Sequence, residues 1–266
     1  MTDQLTRRQL LERAAIGGAA ITIPGILAAC GSSGTKASGT TAVEQKLAKT
    51  LHFSNWPYYI DTKGQTRPSL IEFQKKTGVH VDYREDINDN ASFFGKIQGQ
   101  LRRGQSIGRD IIVMTDNSRY PSLLVRKGWV EKLDKSAMPN FKNLVAVQRH
   151  PAWDPDRDYS LPWQSGFTGI AFNDKITDPV LSIDDLFGNP KLKGKITVLN
   201  EMADAMALVM LSNGDDPSHV TDQTFNKALA KIKKAVDSGQ IRQFTGNDYG
   251  PLLAKGDLSA AMSWSG

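Results

Sequence analysis

Cysteine is nearly absent from this chain of 266 residues: there is one, Cys30. A single thiol excludes a disulfide framework and any Cys-rich zinc or iron–sulfur centre. Histidine is scarce too: His52, His80, His150 and His219 stand far apart, so no His-built metal site is expected and the metal-ligand set is empty. No apolar run reaches the ~18–20 residues that a membrane span needs, which excludes a multi-span membrane protein. Excess charge is small, 33 basic against 28 acidic residues, and no basic patch interleaves with aromatics; nucleic acid is not an expected partner. Motifs of catalysis are missing as well. Trp163-Gln164-Ser165-Gly166 is not a nucleophile elbow, and there is no phosphate loop and no dinucleotide fingerprint after the first strand. No catalytic residue and no cofactor is assigned. What remains is ordinary globular composition, 39% hydrophobic with 10 Phe, 6 Tyr and 5 Trp.

The first thirty residues read as an address. Arg7-Arg8 followed by Leu10-Leu11 opens a charged start, Ala14 to Ala29 is mostly apolar, and the run ends in small residues. That order describes an export signal over 1–29, and the paired arginines resemble a twin-arginine signal. Leu27-Ala28-Ala29-Cys30 resembles a bacterial lipobox, with Cys30 the lipidated residue. Residues 30–47, rich in Gly, Ser and Thr, form a polar tether. The expected product is a lipoprotein on the outer face of the cytoplasmic membrane, periplasmic or at the cell surface.

The rest alternates strand and helix. Leu51–Ser54 reads as a strand, Ser69–Gly78 as an amphipathic helix with Gly78 as C-cap, and Val79–Tyr83 as a strand. Asn90–Leu101 returns to helical spacing, and Asp110–Met114 reads as a buried parallel strand before a short helix over Ser122–Lys127. Residues 140–159 read as an irregular loop. The alternating segment Gly166–Asn173 is a strand and a candidate crossing between two lobes. Ile183–Phe187 starts a helix, Lys195–Leu199 is a strand and Glu201–Leu211 a helix. Thr224–Val236 is a helix with Phe225, Leu229, Ile232 and Val236 on one face, and Leu258–Trp264 is a last strand. The rhythm predicts an α/β protein with helices on both faces of its sheet. A buried strand that ends at Ser265-Gly266 with no closing helix is expected to continue, so the chain is expected to be truncated at its C-terminus.

Acids and aromatics gather at the carboxyl ends of these strands, where open α/β sheets bind ligands. Trp56, Tyr58 and Tyr59 follow the first strand, Glu85, Asp86 and Asp89 the second, and Thr115, Asp116 and Asn117 the third. Glu201 and Asp204 follow a later strand, and Trp264 ends the last. Ring faces attract cations and carboxylates pair with ammonium groups, while methylene linkers lie along rings. The pattern suits an organic polycation better than a sugar or an anion. Taken singly, Trp56 and Tyr59 read more readily as core than as site, and Glu201 and Asp204 equally as the acidic first turn of a helix.

The same residues resemble the polyamine-binding (spermidine/putrescine) proteins of bacterial ABC importers, within the extracellular solute-binding proteins. The likeness runs from about His52 to Trp264. It is carried by Asn55-Trp56 with Tyr59, Phe73 to Gly78, Asp110-Ile111-Ile112-Val113, Gly128-Trp129-Val130 with Leu133-Asp134, Tyr159-Ser160-Leu161-Pro162-Trp163 with Gly166, and Asp257-Leu258 leading to Trp264.

The resemblance implies a two-lobe (Venus flytrap) α/β fold, periplasmic-binding-protein-like and here incomplete, with lobes over 48–166 and 167–266. It implies a monomeric receptor, not an enzyme, that hands polyamine to an ABC permease. Trp56, Tyr59, Thr115, Asn117, Glu201, Asp204 and Trp264 are the implied ligand-binding residues, with Tyr58, Glu85 and Asp116 as further candidates. The chain departs from the family at two of these positions. Tyr58 stands where an acid is common, and Asn117 where an aromatic is common. The choice among putrescine, spermidine and another cation therefore stays open. So does another cationic or amino-acid-like solute in the same fold; a secreted hydrolase is the rival from a different class.

Overall fold

The computed structural model describes residues 48–265; the expected export signal, Cys30 and the tether lie outside the described residues. Seven strands fall into two sheets. The first is all parallel, in the order β2-β1-β3, from β1 (Thr50–Ser54), β2 (His80–Arg84) and β3 (Ile111–Ile112). The second has the order β4-β7-β5-β6, from β4 (Thr168–Phe172), β5 (Ile196–Leu199), β6 (Ile241–Thr245) and β7 (Ala260–Trp264). Here β5 runs parallel to both β6 and β7, while β4 pairs antiparallel with β7, Thr168 opposite Trp264.

Local chemistry sets the helix bounds. Helix α1 (Pro68–Thr77) begins with proline in its first turn, where a missing N–H costs nothing, and stops at Gly78. Gly78 adopts φ 71°, a left-handed conformation that a side chain would resist, and donates its N–H to Gln74 O at 2.9 Å. Helix α2 (Asn90–Arg102) is capped by the Asp89 carboxylate, which accepts from Ser92 N at 2.7 Å, and it buries Phe93, Phe94 and Ile97. Helix α3 (Arg119–Arg126) follows β3, and helix α4 (Ile183–Gly188) precedes β5. Helix α5 (Met202–Ser212) is almost wholly apolar and buries Ala205, Met206, Val209 and Met210. Helix α6 (Asp222–Asp237) starts with a Thr221–Thr224 capping box. A short helix α7 (Tyr249–Lys255) leads into β7.

The larger core lies around the second sheet. All four residues of β5 are buried, and Ala260, Ala261 and Met262 of β7 are fully so, as expected for inner strands covered on both faces. A smaller core of Trp56, Ile87, Phe93 and Ile97 belongs to the first sheet, and Trp264 packs against both cores.

Several expectations need correction. Asp110–Met114 is not a buried strand: only Ile111 and Ile112 pair with β1, and Ile111 is 44% exposed. It lies at the edge of its sheet, and Ile112, Val113 and Met114 are only partly buried against the core around Trp56. The strand over 168–172 pairs only within the second sheet, while Trp163 just before it donates its indole N–H to Tyr59 O at 2.7 Å, in the loop after β1. On α6 the buried residues are Ala228, Ile232 and Ala235, whereas Leu229 and Val236 are exposed. Alanines let α6 approach α5 closely, so that face, rather than the bulkier one, turns inward. Two elements, β6 and α7, were not anticipated in the sequence.

Candidate functional site

The loops after β1, β2 and β3 meet the loops after β5, β6 and β7. Asn55 shapes the first. It is fully buried, its N–H donates to Arg84 O at 2.8 Å, its Oδ1 accepts from Trp56 N at 2.8 Å, and its Nδ2 donates to Tyr59 O at 3.2 Å. One asparagine thereby folds the turn that presents both Trp56 and Tyr59. Trp56 is 4% exposed, and its indole N–H donates to Val113 O at 3.1 Å. Its ring meets that of Trp264 edge-on, with centroids 5.7 Å apart, and that of Tyr59 at 6.1 Å.

Two carboxylates face these rings. Glu201 occupies the N-cap position of α5 but makes no capping bond. Its Oε2 accepts instead from Asn90 Nδ2 at 2.6 Å. Asp204 accepts from Trp264 Nε1 at 2.6 Å and from Asn117 Nδ2 at 3.2 Å. The same Asn90 amide donates to Thr115 Oγ1 at 2.9 Å, and its Oδ1 accepts from Thr115 N at 3.0 Å.

Glu201 and Asp204 are only 8% and 7% exposed. Among the described residues, the donors that meet them are the neutral Asn90, Asn117 and Trp264, with no Lys, Arg or His in an ion pair to either. Burial pushes the Glu201 carboxyl above its usual range. The Asn90 bond opposes this, and the negative charges of Asp204 and Asp89 add to it. Two buried acids without a cationic partner are costly unless a cation arrives to pair with them.

A cavity of about 390 Å³ opens beside Trp264, between Tyr58 and Tyr59 after β1 and Asn247, Tyr249 and Pro251 around the start of α7. The Tyr249 hydroxyl donates to Trp264 O at 3.1 Å and accepts from Trp264 N at 2.9 Å, which fixes the end of β7. Burial raises the hydroxyl pKa of both Tyr59 and Tyr249, so both stay neutral phenols near neutral pH.

The structure thus brings Trp56, Tyr59, Thr115, Asn117, Glu201, Asp204 and Trp264 into one cluster, and places Tyr58 on the cavity wall. Glu85 and Asp116 have other partners. Glu85 pairs with Arg67. Asp116 pairs with Arg157 at 2.7 Å, a guanidinium that is itself 1% exposed. Asn90 and Tyr249 escaped the sequence reading. Asn90 stood out only as a helix start, and Tyr249 lies in a stretch without periodicity. Among the described residues no three His, Cys, Asp or Glu side chains gather as a metal site requires.

The sequence pattern of the family described as "Bacterial extracellular solute-binding protein" matches residues 70–266. The chain is 26% identical over 238 residues to the spermidine/putrescine-binding periplasmic protein of Escherichia coli K12, covering 88% of this chain and 64% of that one. It is 30% identical over 244 residues to the putrescine-binding periplasmic protein PotF of the same organism, covering 86% of this chain and 60% of the relative. The TpPotD lipoprotein of Treponema pallidum shares the fold, with TM-score 0.62 and 25% identity over 80% of this chain and 62% of its own. The chain therefore spans less than two thirds of the length of each of these proteins, with the two-lobe α/β architecture of periplasmic binding proteins in common. By its sequence pattern and its fold, it belongs to the bacterial extracellular solute-binding protein family.

Proposed function

We propose that this protein is the receptor of an ABC importer, binding polyamine outside the membrane and delivering it to the permease. The carrying observation is the pair of buried carboxylates, Glu201 and Asp204, met among the described residues only by neutral donors and walled by Trp56, Tyr59 and Trp264. An ammonium between them forms charge-assisted hydrogen bonds, and its methylenes lie along the indole and phenol faces. The polyamine names of the relatives point the same way.

In this reading residues 48–166 and 167–266 are the two lobes, and ligand contacts from both stabilise only the closed form. Residues 1–29 export the chain, and Cys30 carries the lipid that holds it on the outer face of the cytoplasmic membrane. The receptor acts as a monomer and does no chemistry on its ligand.

The test is a tryptophan-fluorescence titration with spermidine and putrescine, against glutamate, maltose and ferric citrate, at two salt concentrations. Saturable quenching or enhancement with a polyamine alone supports the reading. A folded protein that responds to neither polyamine overturns it.

A further inference from the structure

Tyr59 follows a strand of the first sheet and Trp264 ends a strand of the second, and one short stretch of chain is bonded beside both. The Trp163 indole N–H donates to Tyr59 O at 2.7 Å. Only Gln164, Ser165 and Gly166 separate Trp163 from Phe167. The Phe167 carbonyl accepts from Ser265 N at 2.8 Å, and its N–H donates to Ser265 Oγ at 2.7 Å. The next residue, Thr168, stands opposite Trp264 in the β4–β7 ladder.

The tie at Tyr59 is well supported. Tyr59 O also accepts from Asn55 Nδ2 at 3.2 Å, so two donors meet the two lone pairs of that carbonyl. The Trp163 ring meets Phe53 of β1 edge-on, with centroids 5.2 Å apart and planes at 82°, which fixes the direction of the indole N–H. Just upstream, Ser160 Oγ donates to Asp154 Oδ2 at 2.8 Å and accepts from Arg157 Nη1 at 2.9 Å, so the stretch starts from a fixed point. The tie at the other end is close. A Cβ on Gly166 would lie 2.4 Å from Ser265 O and 3.0 Å from Ser265 Oγ. A side chain there would displace the residue that follows Trp264.

We propose that Trp163 and Gly166 are positioning residues that set the separation between the rings of Tyr59 and Trp264, and with it the grip on the methylenes of a polyamine. Trp163 acts through the backbone of Tyr59, and Gly166 through the backbone beside Trp264. Walls fixed before the ligand arrives need no ordering when it binds, which is how such ties raise affinity. The inference rests on the polyamine reading and deepens it.

Calorimetric titration of the full chain with spermidine tests it in a double-mutant cycle. Trp163→Phe keeps an aromatic ring against Phe53 and removes the N–H. It should weaken spermidine binding about fivefold. In a Tyr59→Ala background, which keeps Glu201, Asp204 and two of the three rings, the same substitution should change affinity less than twofold. Gly166→Ala should weaken binding about tenfold in the parent protein. Circular dichroism checks the folding of each variant, and Trp163→Phe carries the test if Gly166→Ala fails to fold. An unchanged Kd in Trp163→Phe overturns the inference, even with a lowered Tm, because the tie then serves the fold alone. An equal loss with and without the Tyr59 ring also overturns it, because Trp163 then acts by another route. Both results leave the polyamine reading standing. No spermidine binding by the folded parent removes both.

Discussion

A Cβ on Gly246 would lie 2.4 Å from the carbonyl oxygen of Asn88. The loop after β2 and the turn after β6 fit together at that distance only because position 246 has no side chain. Around it Asn247 N donates to Asn88 Oδ1 at 3.0 Å, and Asn88 Nδ2 donates to Asp248 Oδ1 at 3.2 Å. These bonds link loops that follow strands of different sheets. Gly246→Ala should push the loops apart and disfavour the arrangement in which acids and rings face one ligand. Spermidine affinity should fall by about tenfold or more, with unchanged far-ultraviolet circular dichroism and a larger radius of gyration in solution scattering. Unchanged affinity would mean that this contact is incidental to closure.

Asn90 is fully buried and serves Glu201 and Thr115 with one amide. Asn90→Ala removes the donor that Glu201 uses and leaves a buried carboxylate poorly answered. Urea unfolding should show a loss of about 1–3 kcal/mol. Asn90→Asp should cost more at neutral pH, because it sets a second carboxylate against the first. Part of that loss should return as the pH falls and one acid takes up a proton.

Much of this was legible in the sequence, and the reasons differ by element. The first β-α-β unit showed because Gly78 ends a helix and Val79–Tyr83 alternates, both of which are local signals. Trp56, Tyr59, Glu201, Asp204 and Trp264 could be found because strand ends in an α/β sheet converge. Asn90 could not: an asparagine at a helix start looks like many others, and its role comes from Glu201, 111 residues away. Strand β6 has only Ile241 and Thr245 buried, an edge pattern without the alternation that marks a strand. Asp116 stood in a promising row, but its partner Arg157 arrives from a loop 41 residues on.

That Arg157 makes a third prediction. Its Nε donates to Gln148 O at 2.8 Å, its Nη1 to Ser160 Oγ at 2.9 Å, and its Nη2 to Asp116 Oδ2 at 2.7 Å. Asp116 lies between Thr115 and Asn117, so the guanidinium pins the loop that carries both. Arg157→Lys retains charge but not the fork. It should destabilise the protein by about 2–3 kcal/mol, less than a fully buried pair because Asp116 is half-exposed. Polyamine affinity should drop a few-fold as Asn117 loses its aim at Asp204. Thermal melting and titration of the same variant measure the two effects.

Neutralising both acids isolates the role of charge. Glu201→Gln with Asp204→Asn keeps size but turns one acceptor oxygen of each carboxylate into an amide donor, and it removes the anions proposed to hold an ammonium. Polyamine affinity should fall well over tenfold, since two charge-assisted bonds become neutral ones. Stability should hold or rise, because burying an unpaired carboxylate is a cost that the amides do not carry. An equal Kd in the double variant would place the ligand elsewhere.

The pH dependence of binding and that of stability should have opposite signs at Glu201. Burial, with the nearby charges of Asp204 and Asp89, raises its pKa above the usual 4.5 in the folded protein. The Glu201 contribution to stability is therefore fully present below 4.5 and is lost as pH rises through the raised value. Binding runs the other way, because an ammonium needs the ionised carboxylate. Affinity should fall as pH drops through the raised value, before an ordinary glutamate would titrate, and complex formation in that range should release a proton. Calorimetry in two buffers of different ionisation enthalpy measures that release, and Glu201→Gln should abolish it. The same variant should lose the Glu201 share of the gain in apo-protein Tm on acidification. Proton release that persists in Glu201→Gln would assign the titration to another group.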